Sequence, residues 1–381
     1  MEVANNTTYN HINGTLLSDE EIYRSLKLNQ FTVIGIYVIV FITALAANLV
    51  LIIIVVKDRY MQNVTNYFLV NLSVADLLVT LICMPNAAWR AYTDAYGFGS
   101  ISCKIFVYLQ GISVASSIFT ITTMAIDRYL AIIRPFGLRF RCFNRTSTVI
   151  MIFILWTLSL ILFSPNLWIA ELQTIKGDIT LCRMNYNVSP VPQDIIGIVW
   201  FIFMFAIPGC IMTIAYSLMG KTLCSALPPF DHNESTCAQQ RNRVMRSRKR
   251  VACILLLLAV VFAGCWLPYH IMILVENLNN HEETDVVRIY LLLLGHSNSA
   301  LNPIIYCALS RNFRTSIKNL LKCKMNCLKK KQNPMSNWAA DSSGSGFQIP
   351  NSQKGLPLLN HPNEFGLSRR QSSQKTKTFA V

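Results

Sequence analysis

Four polar side chains stand inside stretches that are otherwise apolar, and their types suit cation or proton chemistry. Asp76 offers a carboxylate, Ser117 a hydroxyl, and Asn298 and Asn302 offer amides. A carboxylate beside neutral oxygen donors can hold Na⁺ or share a proton. The alternative is a hydrogen-bonded polar core with a purely structural role. Both interpretations require helices that bring the four residues together.

A charged triplet of Asp127, Arg128 and Tyr129 ends the apolar run 101–126, in which Lys104 is the one charge. An apolar run of this kind needs an apolar solvent or a buried core. Within the triplet, Asp127 is placed to neutralise Arg128 in part. What the triplet does therefore depends on the solvent that surrounds this run.

One face of the third predicted helix runs from an outer pocket to Arg128. Gln110, Ser117, Met124 and Arg128 fall on that face, because offsets of 7 and 11 residues equal about two and three turns. A single stripe therefore runs along the whole helix.

Seven long apolar runs surround these residues. The chain is 52% hydrophobic and only 14% charged, whereas soluble domains carry roughly 25% charged residues. Each run is long enough to cross a bilayer as a helix. The sequence thus predicts an all-α membrane protein, a bundle of seven transmembrane helices. The runs are 31–56, 66–88, 101–126, 149–170, 195–219, 251–275 and 286–309.

The distribution of charge predicts the orientation of the chain. Asn5, Asn6 and Asn13 each stand in a glycosylation sequon, which favours an extracellular N-terminus. With that orientation, 27 of the 34 Lys and Arg residues are cytoplasmic. The net charge of +15 is then a property of the inner face, attractive to anionic lipid, and not evidence of nucleic-acid binding.

The chain divides into four parts on composition. We expect a glycosylated outer tail over 1–30, the seven-helix domain over 31–309, an amphipathic helix on the membrane surface over 310–323, and a disordered cytoplasmic tail over 324–381. Cys323 and Cys327 stand among lysines close to the membrane, a context for palmitoylation.

Two cysteines are predicted to face the oxidising side of the membrane. Cys103 begins the third run, and Cys182 lies in the loop after the fourth. A disulfide between them would tie that loop across the mouth of the bundle. The stretch 176–178, Lys-Gly-Asp between β-prone flanks, predicts a β-hairpin in the same loop.

Four motifs together resemble the rhodopsin-like (class A) G-protein-coupled receptors. They are "NLSVADLL", "DRY", "CWLP" and "NPIIY", and the similarity covers roughly residues 31–323. The resemblance implies a plasma-membrane receptor that activates a heterotrimeric G protein when an extracellular ligand binds. It also implies arrestin and receptor kinases as partners of the tail.

The resemblance implies a set of switch residues. Arg128 would leave Asp127 and turn to the G protein as helix six, the run 251–275, swings outward. Tyr216 and Tyr306 would hold the active arrangement. Arg248 stands where some relatives carry an acid, so a second lock on Arg128 lacks an acidic partner and basal silence is expected to be incomplete. The remaining switch residues are Tyr129, Trp266, Pro268, Asn302 and Pro303.

The ligand is expected to be a short, amidated, basic neuropeptide. Gln110 stands where aminergic receptors have an aspartate, and the outer segments hold 12 acids against 7 basic residues. The chain resembles orexin and neuropeptide FF receptors here, and thyrotropin-releasing-hormone receptors more loosely. We expect the amide near Gln110 and a basic residue on Glu276 at the rim. The predicted contacts are Gln110, Tyr269, His270, Ile273, Glu276 and His296.

Other functions fit the sequence less well. A ligandless or constitutively active receptor is the alternative within the family, and a multi-pass transporter is a more distant one. A transporter would favour inverted repeats, which are not evident. The six histidines form no metal-binding spacing, so neither an enzyme nor a metal centre is expected. Na⁺ at Asp76 is the one ion anticipated.

Overall fold

The structure is a computed structural model, and it confirms a bundle of helices. It describes residues 10–12, 15–17, 19–93, 96–133, 144–175, 179–225, 236–279 and 285–320. The predicted glycosylation sites Asn5, Asn6 and Asn13 and the predicted palmitoylation sites Cys323 and Cys327 lie outside these residues, as does the predicted disordered tail.

Ten α-helices, α1 to α10, follow one another along the described chain, and a further helix over 311–320 comes after them. Turns of π-helix over Val79–Cys83 and Ile202–Ala206 join α2 to α3 and α7 to α8, so each pair forms one span. The helices are α1 Asp19–Lys57, α2 Val64–Leu78, α3 Met84–Thr93, α4 Gly99–Ile133, α5 Arg145–Phe163, α6 Asn166–Ile169, α7 Gln193–Phe201, α8 Ile207–Ser225, α9 Thr236–Asn279 and α10 Asp285–Leu309.

Six helical segments of the described chain are long and apolar enough to cross a membrane. They extend over 30–57, 64–93, 99–133, 145–169, 193–222 and 243–279. The seventh helix is α10, which packs against α1 and α9 and whose His296, Asn298 and Asn302 lower its hydropathy. Pro268 in α9 and Pro303 in α10 each remove one backbone hydrogen bond, which bends both helices there.

The outward faces of the bundle are apolar, as a lipid solvent requires. Ile39 of α1 and Phe153 and Ile161 of α5 are each more than 60% exposed. The span of α2 and α3 and the span of α4 are the most buried, so α4 lies centrally in the bundle. From this central position, α4 places Gln110 in the outer half of the bundle and Arg128 near the inner end.

A β-hairpin covers the outer mouth of the bundle, as predicted. Strand β3, Ala170–Ile175, pairs antiparallel with β4, Ile179–Met184, after a short hairpin formed by β1, Asn10–Ile12, and β2, Thr15–Leu17. The predicted turn residues 176–178 lie outside the described residues. The Cys103–Cys182 disulfide joins β4 to the first turn of α4, with Cα atoms 5.6 Å apart.

The first outer loop pairs with the edge of β4. The backbone N–H of Tyr96 donates to the carbonyl of Thr180 at 2.7 Å, and the Thr180 hydroxyl donates back to the carbonyl of Tyr96 at 3.1 Å. Tyr96 is buried with both bridged cysteines, Cys103 and Cys182. The lid is therefore held to the bundle by a covalent bond, a backbone pair and an apolar contact.

A helix over 311–320 follows α10 and confirms the predicted amphipathic segment. Phe313 is 1% exposed and packs edge-to-face on Tyr306, with ring centroids 5.2 Å apart. The Ser316 hydroxyl donates to a carboxylate oxygen of Asp58 at 2.6 Å. These contacts fix the helix to the inner ends of α10 and α1.

Candidate functional site

A cavity of about 250 Å³ opens beneath the hairpin, between the outer halves of the helices. Its floor includes Trp266, and the disulfide residue Cys182 forms part of its roof. Of the predicted ligand contacts, five line it: Gln110, Tyr269, His270, Ile273 and Glu276. Their common position on α4 and α9 follows from the one-face spacing within each helix.

Gln110 and Tyr269 contact one another across the cavity. The Gln110 side chain hydrogen-bonds to the Tyr269 hydroxyl, which joins α4 to α9. An amide and a phenol in contact offer both a donor and an acceptor to a ligand. This pair suits an uncharged group such as a peptide carboxamide, which can replace either partner.

Glu276 corrects the picture of an open acidic rim. Its side chain is only 8% exposed, and Nη2 of Arg288 donates to its two oxygens at 2.8 and 2.9 Å. Sequence analysis did not identify this partner, because Arg288 lies on α10 and helical spacing relates only residues of the same helix. The carboxylate is neutralised by a cation of the protein itself.

Arginines dominate the charge of the described cavity wall. Arg90, Arg183 and Arg288 line it, against the single acid Glu276. The excess of acids counted over the outer segments therefore does not extend into the cavity. A ligand that enters meets carbonyl-binding cations as well as the shared carboxylate.

The outer rim of the cavity adds hydrogen-bonding groups that the sequence did not single out. Nε2 of Gln193 donates to the side-chain oxygen of Asn277 at 3.2 Å, which joins α7 to α9. Burial raises the pKa of Tyr186 to about 12, so its hydroxyl stays protonated at neutral pH. The side-chain oxygen of Asn166 is buried and has no hydrogen-bond partner within the described structure.

His296 was expected among the ligand contacts, but the described lining of the cavity does not include it. It is fully buried behind the floor, with its ring centroid 5.9 Å from that of Trp266. Its Nδ1 lies 3.4 Å from the Tyr37 hydroxyl. Because α10 turns this side chain toward α1, a direct contact between His296 and a ligand loses its structural basis.

Trp266 lies against α10 at a glycine. A Cβ atom at Gly295 would stand 2.7 Å from a carbon of the indole, so this close approach requires glycine. The Trp266 ring also packs on His270, with centroids 6.1 Å apart. Movement of the indole is therefore sterically linked both to the cavity and to α10.

Asp76 has two hydrogen-bond partners on α10. Nδ2 of Asn302 donates to the Asp76 carboxylate at 3.0 Å, and the Ser299 side chain, which sequence analysis missed, also hydrogen-bonds to it. Ser117 and Asn298 are buried, but within the described structure neither bonds to Asp76. The hydrated cluster of four residues stays a prediction, and α10 adds Ser299 as a direct partner of Asp76.

The inner end of α4 holds the expected pair. Nε of Arg128 donates to Asp127 at 2.9 Å, and Nη2 bonds to the same carboxylate oxygen. Tyr129 and Tyr216 pack on the apolar cluster that joins α4, α8 and α9. Arg128 is thus engaged within its own helix, which is the arrangement anticipated for rest.

The sequence of the chain matches a family of membrane receptors. The family model "7 transmembrane receptor (rhodopsin family)" matches residues 47–306. This range includes the cavity, the polar cluster around Asp76 and the Asp127–Arg128 pair.

Several curated relatives are named as peptide receptors. The neuromedin-K receptor of Oryctolagus cuniculus is 31% identical over 75% of this chain and 60% of its own length. The tachykinin-like peptides receptor 86C of Drosophila melanogaster is 33% identical, over 74% and 56%. The QRFP-like peptide receptor of Branchiostoma floridae is 28% identical, over 76% and 77%. The chain therefore spans less than two thirds of the length of the first two.

These findings agree with the resemblance inferred from the motifs. The three relatives are named for peptides other than orexin and neuropeptide FF, so that finer placement stays a prediction. Members of the family are signalling receptors of the plasma membrane and not enzymes. The seven-helix bundle, the matching family model and the peptide-receptor relatives lead to one conclusion: the chain belongs to the rhodopsin family of seven-transmembrane receptors.

Proposed function

We propose that the protein binds an extracellular peptide in the cavity and passes the signal to a heterotrimeric G protein through outward movement of α9. One observation carries the proposal. Trp266 lines the cavity on α9, and the same continuous helix reaches the inner face beside the Arg128 region. A change at the floor of the cavity can therefore move the inner end of α9 about the bend at Pro268.

The ligand we propose is a short neuropeptide with an amidated C-terminus. The amide lies at Gln110 and Tyr269, where the cavity offers a donor and an acceptor. A basic residue of the peptide meets Glu276 and shares that carboxylate with Arg288, since two carboxylate oxygens can accept more bonds than Arg288 donates. The names of the relatives support a peptide as the class of ligand.

Na⁺ at Asp76 is proposed as an allosteric ion. The side-chain oxygens of Asn298 and Asn302 are buried and have no hydrogen-bond partner within the described structure. Oxygen donors beside a carboxylate suit a hard cation. When bound, the ion would neutralise Asp76, and these residues would hold α2 and α10 in the resting arrangement.

The parts of the chain outside the bundle receive the roles expected from sequence. The proposed division is an outer tail over 1–30, the receptor domain over 31–309, the amphipathic helix over 310–323 and a cytoplasmic tail over 324–381. The tail binds arrestin and receptor kinases, and the basic inner face binds membrane lipid. Sugars on Asn5, Asn6 and Asn13 and palmitate on Cys323 or Cys327 complete this proposal.

Nucleotide exchange tests the proposed function directly. The purified receptor in lipid nanodiscs would be mixed with each class of G protein and a panel of amidated neuropeptides, each paired with its free-acid form. We expect one amidated peptide to accelerate exchange and its free acid to act more weakly. Exchange that is high without peptide and unchanged by the whole panel would instead support a constitutively active, ligandless receptor. No exchange under any condition would contradict coupling to a G protein.

A further inference from the structure

Two arginines tie the inner end of α9 to its neighbours through backbone carbonyls. Nη1 of Arg248 donates to the carbonyl of Ala131 on α4 at 2.7 Å. Nη2 of Arg250 donates to the carbonyl of Leu309 on α10 at 2.7 Å. The inner end of α9 is thus bonded on two sides.

Neither acceptor has a donor four residues further along its own helix. Residue 135, the helical donor position for the carbonyl of Ala131, is a proline and has no backbone N–H. The helix α10 ends at Leu309, and carbonyls in the last turn of a helix lack an intrahelical donor and carry a partial negative charge. A guanidinium with five N–H donors therefore finds at Ala131 and Leu309 acceptors that the helices themselves leave open.

The inner half of α9 carries no acid that could pair with Arg128. The sequence from 236 to 275 contains no Asp or Glu, so the inner half of α9 has no carboxylate for Arg128. Arg128 is paired with Asp127, and Arg248 is close enough to Arg128 for the two cations to repel one another. The bond to Ala131 is what keeps Arg248 inward despite this repulsion.

We propose that Arg248 and Arg250 form a carbonyl clasp that holds α9 against α4 and α10 in the resting receptor. Outward movement of α9 breaks both bonds at once, because their acceptors are on helices that stay in the bundle. The clasp replaces the acid-based lock whose absence the sequence had suggested. The inference rests on the proposed coupling through α9. Sequence analysis predicted that α9 is only weakly restrained at rest, and the clasp names two bonds that restrain it.

The opposite hypothesis makes the opposite prediction for basal activity. If Arg248 mainly repels Arg128, its removal would relieve the repulsion and lower basal nucleotide exchange. If Arg248 mainly bonds to Ala131, its removal would free α9 and raise basal exchange. The sign of a single substitution therefore decides between the two.

Basal exchange without peptide is the first measurement. Arg248→Ala is expected to raise the rate about tenfold, near the low end for loss of a hydrogen bond from a charged group that is only partly buried. Arg250→Ala is expected to give a smaller rise, since its bond is exposed to water. Lys249→Ala removes the same charge from an exposed neighbour and should leave the rate near that of the parent. A fall, or no change, with Arg248→Ala would overturn the clasp.

A distance measurement separates the clasp from coupling to the G protein. Spin labels would be placed at Ser247 on α9 and at Tyr60, which is 96% exposed in the first inner loop, after replacement of the reactive cysteines. Without any G protein, Arg248→Ala is expected to enlarge a population with a longer distance between the labels. If neither the parent nor any variant catalyses exchange, the proposed coupling to a G protein is wrong, but the distance measurement still tests the clasp. Identical distance distributions in Arg248→Ala and the parent would refute the clasp.

Discussion

The two ends of α9 are held in chemically different ways. At the outer end, Glu276 forms an ion pair with Arg288 of α10, and both side chains line the cavity. At the inner end, Arg248 and Arg250 bond to backbone carbonyls of α4 and α10. A charged ligand can compete for a carboxylate, but it cannot compete for a carbonyl that it never reaches.

This difference assigns separate tasks to the two ends. The outer ion pair can respond to the chemistry of a ligand, since a ligand cation can share or take the carboxylate. The inner bonds respond only to the position of α9, because both acceptors belong to neighbouring helices. The comparison predicts that substitutions at the outer end change ligand affinity, while substitutions at the inner end change signalling.

The largest expected effect is at Arg128. Arg128→Ala should reduce peptide-stimulated exchange at least about 100-fold, because the cation that engages the G protein is lost. Peptide affinity at the cell surface should stay within about threefold of the parent, since the cavity lies at the other end of α4. Exchange assays with a parallel binding assay measure both quantities. Undiminished coupling would break the proposed division between the two ends.

The next effect concerns the lid. Cys182→Ser removes the bond between β4 and α4, and loss of a native disulfide typically costs about 2–5 kcal/mol. We expect reduced surface expression and loss of high-affinity peptide binding, measured by flow cytometry and radioligand binding. Cys265→Ser, at a buried thiol within α9, is a control without a disulfide. Mapping that finds Cys103 and Cys182 as free thiols on the surface receptor would remove this prediction.

The ion pair at the outer end sharpens the comparison. Glu276→Gln should weaken binding of the peptide identified by the exchange panel about tenfold, near the low end for a charge-assisted hydrogen bond of about 1.5–3 kcal/mol. The loss should vanish when the basic residue of the peptide is also neutralised. Additive losses in that double-mutant cycle would leave Glu276 as a partner of Arg288 alone.

Arg288→Gln is the matched variant on the other side of this pair. It removes the protein's own cation from Glu276, so we expect tighter binding of the basic peptide, by about threefold, with little change in basal exchange. Weaker binding would show that Arg288 contacts the ligand directly and would change the proposed sharing of the carboxylate.

A further effect of modest size lies between the two ends, at Asp76. If Na⁺ binds there and stabilises rest, agonist affinity should fall about three- to tenfold between sodium-free and physiological buffer. Asp76→Asn should abolish that dependence, with choline in place of sodium as the ionic-strength control. A variant that stays as sensitive to sodium as the parent would leave Asp76 with a structural role only.

Part of this arrangement was predictable from local pattern. The Asp127–Arg128 pair joins neighbours in sequence, and the common face of Gln110 and Arg128 follows from helical spacing. Cys103 and Cys182 could be paired because topology placed both outside. In each case the evidence was a spacing within one helix or a position relative to the membrane.

Contacts between helices could not be predicted in this way. Ser299 rather than Asn298 meets Asp76, and His296 turns away from the cavity, although all three share α10. Successive residues of an α-helix lie about 100° apart around its axis, so a rotation of the helix by that angle puts one residue where its neighbour would be. Packing against other helices sets this rotation. The Glu276–Arg288 pair depends on how both α9 and α10 are rotated about their axes.

The sequence by itself determined the solvent of this protein, its seven spans, its orientation and its family, because hydrophobicity, charge asymmetry and motifs are properties of one segment at a time. Only the tertiary structure decided which groups meet. The neutralised Glu276 and the carbonyl bonds of Arg248 and Arg250 are such meetings. A backbone carbonyl has no identity in the sequence, so a bond to it becomes visible only when the helices are packed.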